Sequence, residues 1–124
     1  MTKEELMKRT GLSEEDAETL KRTEQMLPMM AELAGADLFI DCMDKTDGIM
    51  FVAAQAGPKY MPSAYQKSVV GCAAEHKDEP AVYRALETRT PVRDIKAVTQ
   101  EENMVRQDAV PIQGEDGSVI GILI

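Results

Sequence analysis

At 124 residues the chain has room for one domain, because a core of this size buries roughly two thirds of the surface that the unfolded chain exposes. An apolar fraction of 44% against 29% charged residues predicts a folded globular chain and excludes disorder. A formal net charge of -8 with no Lys/Arg stripe excludes nucleic acid and anionic membrane surfaces as partners.

No stretch approaches the roughly 20 apolar residues of a membrane span. The polar opening Met1-Thr2-Lys3-Glu4-Glu5 lacks the apolar core of a signal peptide, so a cytoplasmic address is expected. Thr2 to Arg9 predicts a short helix that stops near Gly11, and Ser13 with Asp16 has the spacing of a capping box for the next one. Leu20, Leu27, Met30 and Ala34 recur at near-helical intervals up to Gly35, predicting one apolar stripe, with Pro28 kinking or dividing the helix. Such a stripe needs a partner, either the domain's own sheet or the same helix of a second chain.

From Ala36 the period changes. Asp37 to Met43 alternates and is rich in strand formers, Asp44 to Gly48 supplies a turn, and Ile49 to Ala56 returns, which is a hairpin. Gly57-Pro58-Lys59-Tyr60-Met61-Pro62 takes the chain out of the sheet. Ser63 to Val70 predicts a short helix ending at Gly71, and Asp78-Glu79-Pro80 starts another through Val82, Tyr83, Ala85 and Leu86. Val92 to Val98, Met104 to Gln113 and Ser118 to Ile124 then read as strands, the last two joined by Gly114 to Gly117. Pro111 requires an edge or a bulge there.

Helix, two strands, helices, three strands is the plan of GAF and PAS sensor domains: an α/β (α+β) fold with an antiparallel sheet of about five strands, a leading helix and crossing helices on the sheet. The expected division is residues 1–35 as leading helices making a dimer contact and residues 36–124 as the sensor domain. The final run Val119 to Ile124 ends on an apolar strand without a polar flank, which predicts a sensor domain truncated at its last strand.

The chemistry classes thin out quickly. Cys42 and Cys72 have no metal spacing and read as small core residues; with His76 as the only histidine, a zinc site or catalytic triad is short of members. His76-Lys77-Asp78-Glu79-Pro80 superficially has the order of a phosphoacceptor box, yet a loop carries it where a dimeric helical hairpin should. Asp41, Asp44 and Asp47 lack the spacing and closing Glu of a calcium loop, and Gly114 to Gly117 lacks the Lys of a phosphate cradle. No cofactor, no metal and no enzymatic activity are therefore expected.

From about Leu27 to Ile124 the chain resembles the amino-terminal sensor domain of bacterial cytoplasmic sensor histidine kinases, the group that includes ethanolamine-responsive kinases. The resemblance rests on Ala36 to Ile40, Ala54 to Pro58, Glu79 to Leu86, Val105 to Gln107 with Val110 to Ile112, and Val119 to Ile124. It implies a GAF-like fold, a homodimer and an input role upstream of a kinase core, itself absent from this chain, that signals to a cognate response regulator. The function expected is ligand-sensing control of that core's autophosphorylation, with a ligand-free dimerisation and signal-relay module as the alternative.

A pocket in such a fold lies between sheet and crossing layer. Its candidate residues are Gln55 at the mouth, Tyr60 and Tyr65 in the crossing layer, Glu79 and Arg84 on the crossing helix, and Arg106 on a strand, where Arg106 and Gln107 must face opposite sides. Tyr faces and the Glu79 carboxylate would suit the cation of a small amine, the small-molecule ligand expected.

Overall fold

A computed structural model describes residues 1–60, 67–98 and 104–124. The first helix, α1 (Lys3–Thr10), is closed at both ends by local chemistry. The Thr2 hydroxyl accepts from the Glu5 amide, and Gly11 turns out of the helix at φ +76°, a conformation glycine adopts without steric cost. The second, α2 (Glu14–Ala34), starts on Ser13, whose hydroxyl accepts from the Asp16 amide, and ends on Gly35 in the same left-handed conformation. Only half of the expected capping box forms, because the Asp16 carboxylate accepts from the Glu115 amide at 3.1 Å and so ties α2 to the far turn. Pro28 does not divide α2, which runs unbroken through it on the exposed side.

The sheet has six strands: β1 (Leu38–Met43), β2 (Met50–Ala56), β3 (Ala73–Ala74), β4 (Val92–Val98), β5 (Met104–Gln113) and β6 (Val119–Leu123). Their order is β3-β2-β1-β6-β5-β4, with every pairing antiparallel. The expected count was about five; the extra strand is the two-residue β3, too short for period-two spacing to register. Of the helix expected over Ser63 to Val70, residues 63–66 lie outside the described residues, and residues 67–70 are not helical. Between β3 and β4 lies α3 (Pro80–Thr88), where Pro80 opens the helix. Pro111 sits where β5 has only β6 beside it, past its last pairing with β4 at Ala109↔Val92, and a bulge follows between Ile112 and Gln113.

The two faces of the sheet carry different layers. Leu6, Ala17, Leu20 and Leu27 of α1 and α2 pack on Ile40, Cys42, Phe51, Ala53 and Ile120. Of the expected stripe, Leu20 and Leu27 are buried, Met30 is half-buried, and Ala34 is exposed while Ala31 is buried in its stead. On the other face, Ala81, Val82 and Ala85 of α3 pack on Met50, Val92, Ala109 and Ile122. A smaller cluster of Phe39, Val52 and Val69 lies on that same face, under the connection from β2 to β3. At roughly 1.5–3 kcal/mol for each large side chain removed from water, both layers are substantial.

Candidate functional site

The face under α3 is where a polar site is built, and β1 begins it. Its side chains alternate: Ile40 and Cys42 point at the helices, so Phe39 and Asp41 point the other way. Asp41 is 2% exposed. Its register partners are Val52 on β2 and Ile122 on β6, which belong to two different apolar clusters, so Asp41 stands at the seam between them. Among the described residues, Ile124 alone packs against both.

Two further polar side chains reach this face from other elements. Gln107 follows the alternation of β5 two residues before the buried Ala109 and is 7% exposed. Glu79 precedes α3 and is 3% exposed. Its carboxyl caps no helix amide and is instead hydrogen-bonded to the Gln107 side chain. Asp41 Oδ1, Glu79 Oε2 and Gln107 Oε1 are buried and have no hydrogen-bond partner. Orphaned buried acceptors are uncommon in folded chains and mark places where something is bound or switched.

The electrostatics follow from burial. Loss of water pushes the Asp41 carboxyl well above the ordinary carboxylate range, and the nearby Glu79 carboxyl adds to the effect. Burial pushes Glu79 up to about 7; the Gln107 hydrogen bond favours its ionised form and works against that rise, and Asp78 reinforces it. Burial likewise raises the Tyr83 hydroxyl. That hydroxyl donates to the Ala74 carbonyl at 2.7 Å and accepts from the Met50 amide at 3.0 Å, pinning α3 to the β2–β3 edge. The exposed His76 ring lies 4.8 Å from the Tyr83 ring, a packing role in place of a phosphoacceptor's.

Of the six residues singled out in sequence, the five among the described residues are not brought to one place. Glu79 lies buried under α3. Gln55 is half-buried at the end of β2, where its Oε1 accepts from the Val69 amide at 2.8 Å and its Nε2 donates to the Lys67 carbonyl at 3.4 Å, so it holds the returning chain over the sheet. Tyr60 is 87% exposed, and Arg84 is exposed on α3. Arg106 is exposed and reaches Asp94 Oδ1 at 3.3 Å, so of the adjacent pair Gln107 is the one turned inward. Tyr65 lies outside the described residues. Asp41 and Gln107 were missed as site residues, because an alternating strand carries no sign of which polar position faces a core. The cysteines separate as well: Cys42 is buried, with its thiol pushed up to about 12 by burial and Asp41, whereas Cys72 is exposed, against the core expectation.

A recess of 610 Å³ opens where β6 stops, bounded by the start of β1, the first half of β5 and the end of α2. Phe39, Gln107 and Ile124 line it along with Leu38 and Arg106. Of the three buried polar residues, Gln107 lies in its wall, and Asp41 and Glu79 do not. No group of three or more His, Cys, Asp or Glu among the described residues could hold a metal ion. None of their helices is long and apolar enough to cross a membrane.

A curled antiparallel sheet with helices on one face and a crossing helix over buried polar side chains on the other is the architecture of sensor domains. The family described as "Histidine kinase PdtaS, GAF domain" matches residues 3–124, and the chain belongs to that family. Its fold is similar to a solved structure described as the sensor region of a sensor histidine kinase, with a TM-score of 0.72 at 18% identity over 99% of this chain. The chain spans 40% of that structure's length. A PAS domain of a protein from Colwellia psychrerythraea covers 85% of this chain and 92% of its own at 16% identity, with a TM-score of 0.49. No curated protein matches the sequence.

Proposed function

We propose that the chain is the ligand-sensing input domain of a cytoplasmic two-component histidine kinase, controlling autophosphorylation of a kinase core outside this chain and, through it, a cognate response regulator. Residues 1–35 serve as the dimer arm and residues 36–124 as the sensor. The observation that carries this reading is the buried Glu79–Gln107 pair under α3, placed where a small molecule held between sheet and crossing layer would meet it. A small amine suits the Glu79 carboxyl.

The sheet supplies the coupling. Asp41 and Ile122 face the hollow, while their strand neighbours Ile40, Cys42 and Gly121 meet α2. A Cβ placed on Gly121 would lie 3.1 Å from Leu20 Cδ2, so α2 and β6 are in close contact. A ligand that separates α3 from the sheet would shift these strands under α2 and so bias the helices that feed the kinase, provided it binds the two arrangements unequally.

In the full-length kinase, autophosphorylation should change on ligand addition, with the dose response of Glu79→Gln displaced by tenfold or more. A response unaltered by that substitution would count against the site.

The relay alternative draws on a different observation. Met26, Met29 and Leu33 are 53%, 72% and 91% exposed along one side of α2, an apolar stripe suited to the same stripe of a second copy. A relay without a ligand would keep its kinase control when the hollow is filled by larger apolar side chains, and a sensor would lose it.

A further inference from the structure

The sheet face under α3 carries a second buried acid, Asp41, that the small-amine reading does not use. We propose that Asp41, together with Glu79 and Gln107, forms an acceptor-rich recognition site on the sheet face under α3 that takes a ligand whose cationic group is rich in N–H donors. The inference rests on the sensing role above and names its ligand class and its second anchor.

Three observations support it. Asp41, Glu79 and Gln107 come from β1, the start of α3 and β5, three separate elements that the fold turns onto one face. Each presents an oxygen that is buried and without a partner, so each offers what a donor would need. Asp41 also occupies the seam between the Val52 and Ile122 clusters, where a buried carboxyl is costly until something pairs with it.

The surroundings define the charge of the ligand. Asp41 feels Glu79 from α3, and Glu79 feels Asp78 beside it. Tyr83, from the same helix, feels Asp41, Glu75 and Asp47, and the His76 ring packs on it; Cys42 adjoins Asp41 on β1. Among the described residues, no lysine or arginine acts on Asp41 or Glu79, so the positive charge must come from the ligand. A neutral ligand would bring no opposite charge to the two buried acids, and an anion would add a like charge beside them.

Binding of this kind releases protons. Without ligand, burial favours the protonated form of both carboxyls, and Glu79 gives up its proton only at about pH 7; a cation seated between them favours ionisation, and a displaced proton passes to buffer. Affinity therefore rises with pH through about 7, by up to tenfold per pH unit for one proton released.

The test is titration calorimetry on the chain with n-butylammonium, 1,4-diaminobutane and agmatine, using 1-butanol and butyrate as neutral and anionic counterparts. Runs at pH 6 and 8 in phosphate and in HEPES, which differ in ionisation heat, count the protons released. The expected result is that at least one cationic probe binds, more tightly at pH 8 and with a buffer-dependent heat. Asp41→Asn and Asp41→Ser should each weaken it tenfold or more while melting no lower than the parent chain at pH 8. Equal binding by a folded Asp41→Asn variant overturns the proposal, as does binding of butanol or butyrate as tight as that of the amines. So does an absence of binding by every cationic probe to the parent chain. None of these outcomes touches the sensor role itself, which fails separately if the full-length kinase answers to no ligand.

Discussion

A single carboxyl illustrates how strongly placement governs chemistry in this domain. Glu79, at the first turn of an exposed helix, would be an ordinary acid stabilised by the helix dipole; buried over Gln107 it holds its proton up to about 7. Because the folded chain binds that proton more tightly than the unfolded one, its contribution to stability is present below about pH 4.5 and is lost as pH rises through about 7. Glu79→Gln removes the cost of ionisation: the variant should be more stable than the parent by about 2–3 kcal/mol at pH 8 and show no such gain at pH 4.5, read from urea midpoints. A gain at acid pH instead would mean that Glu79 is ionised in the folded state. The motif Glu79 to Leu86 that carries the family resemblance singled out Glu79 in sequence, but Asp41 looked like one of three acids around a hairpin, and only the strand's alternation against α2 turns it inward.

Helix α2 and the strands beneath it form the element through which a change in the hollow would reach the rest of the protein. Leu27 is fully buried between them, and Leu27→Ala should cost about 2–4 kcal/mol of unfolding free energy, more than the lost transfer energy because a cavity remains. Gly121 tests a different property. Its φ is ordinary, yet an added Cβ would come within 3.1 Å of Leu20 and 3.3 Å of the Asp41 carbonyl, so Gly121→Ala should destabilise by about 1–3 kcal/mol by pushing α2 off β6. Thermal unfolding checks both, and a neutral Gly121→Ala would show that the helix layer yields freely. The apolar stripe that runs up to Gly35 was legible as helix because its spacing is 3.6. Its core side was legible at Leu20 and Leu27, which are buried, and at the half-buried Met30, but not at its end, where Ala31 is buried and Ala34 exposed.

At the scale of the whole molecule, the exposed side of α2 bears on assembly. Met29→Glu combined with Leu33→Glu replaces the two most exposed apolar side chains of the stripe and leaves Leu20 and Leu27 in place. If this face joins two copies, light scattering should report a shift from dimer to monomer with an unchanged circular dichroism spectrum, because like charges would then face each other across the axis. A dimer that persists would place the interface elsewhere. Loss of the dimer together with loss of ligand control would connect the hollow, the sheet and the helix arm in one mechanism.

Local chemistry written in the chain determined the elements themselves. Thr2, Ser13, Gly11 and Gly35 bound the first two helices, Pro80 opens the third, and runs of strand formers between turn residues mark β1, β2, β4, β5 and β6, because caps, turns and local preference act over a few residues. The α/β sensor plan followed from their order. Strand order, the two-residue β3 and the convergence of Asp41, Glu79 and Gln107 depend on contacts between residues far apart in the chain, and no local preference encodes those. Arg106 shows the same division: it had suitable chemistry for a pocket, and it stands in water because β5 turns its neighbour Gln107 inward.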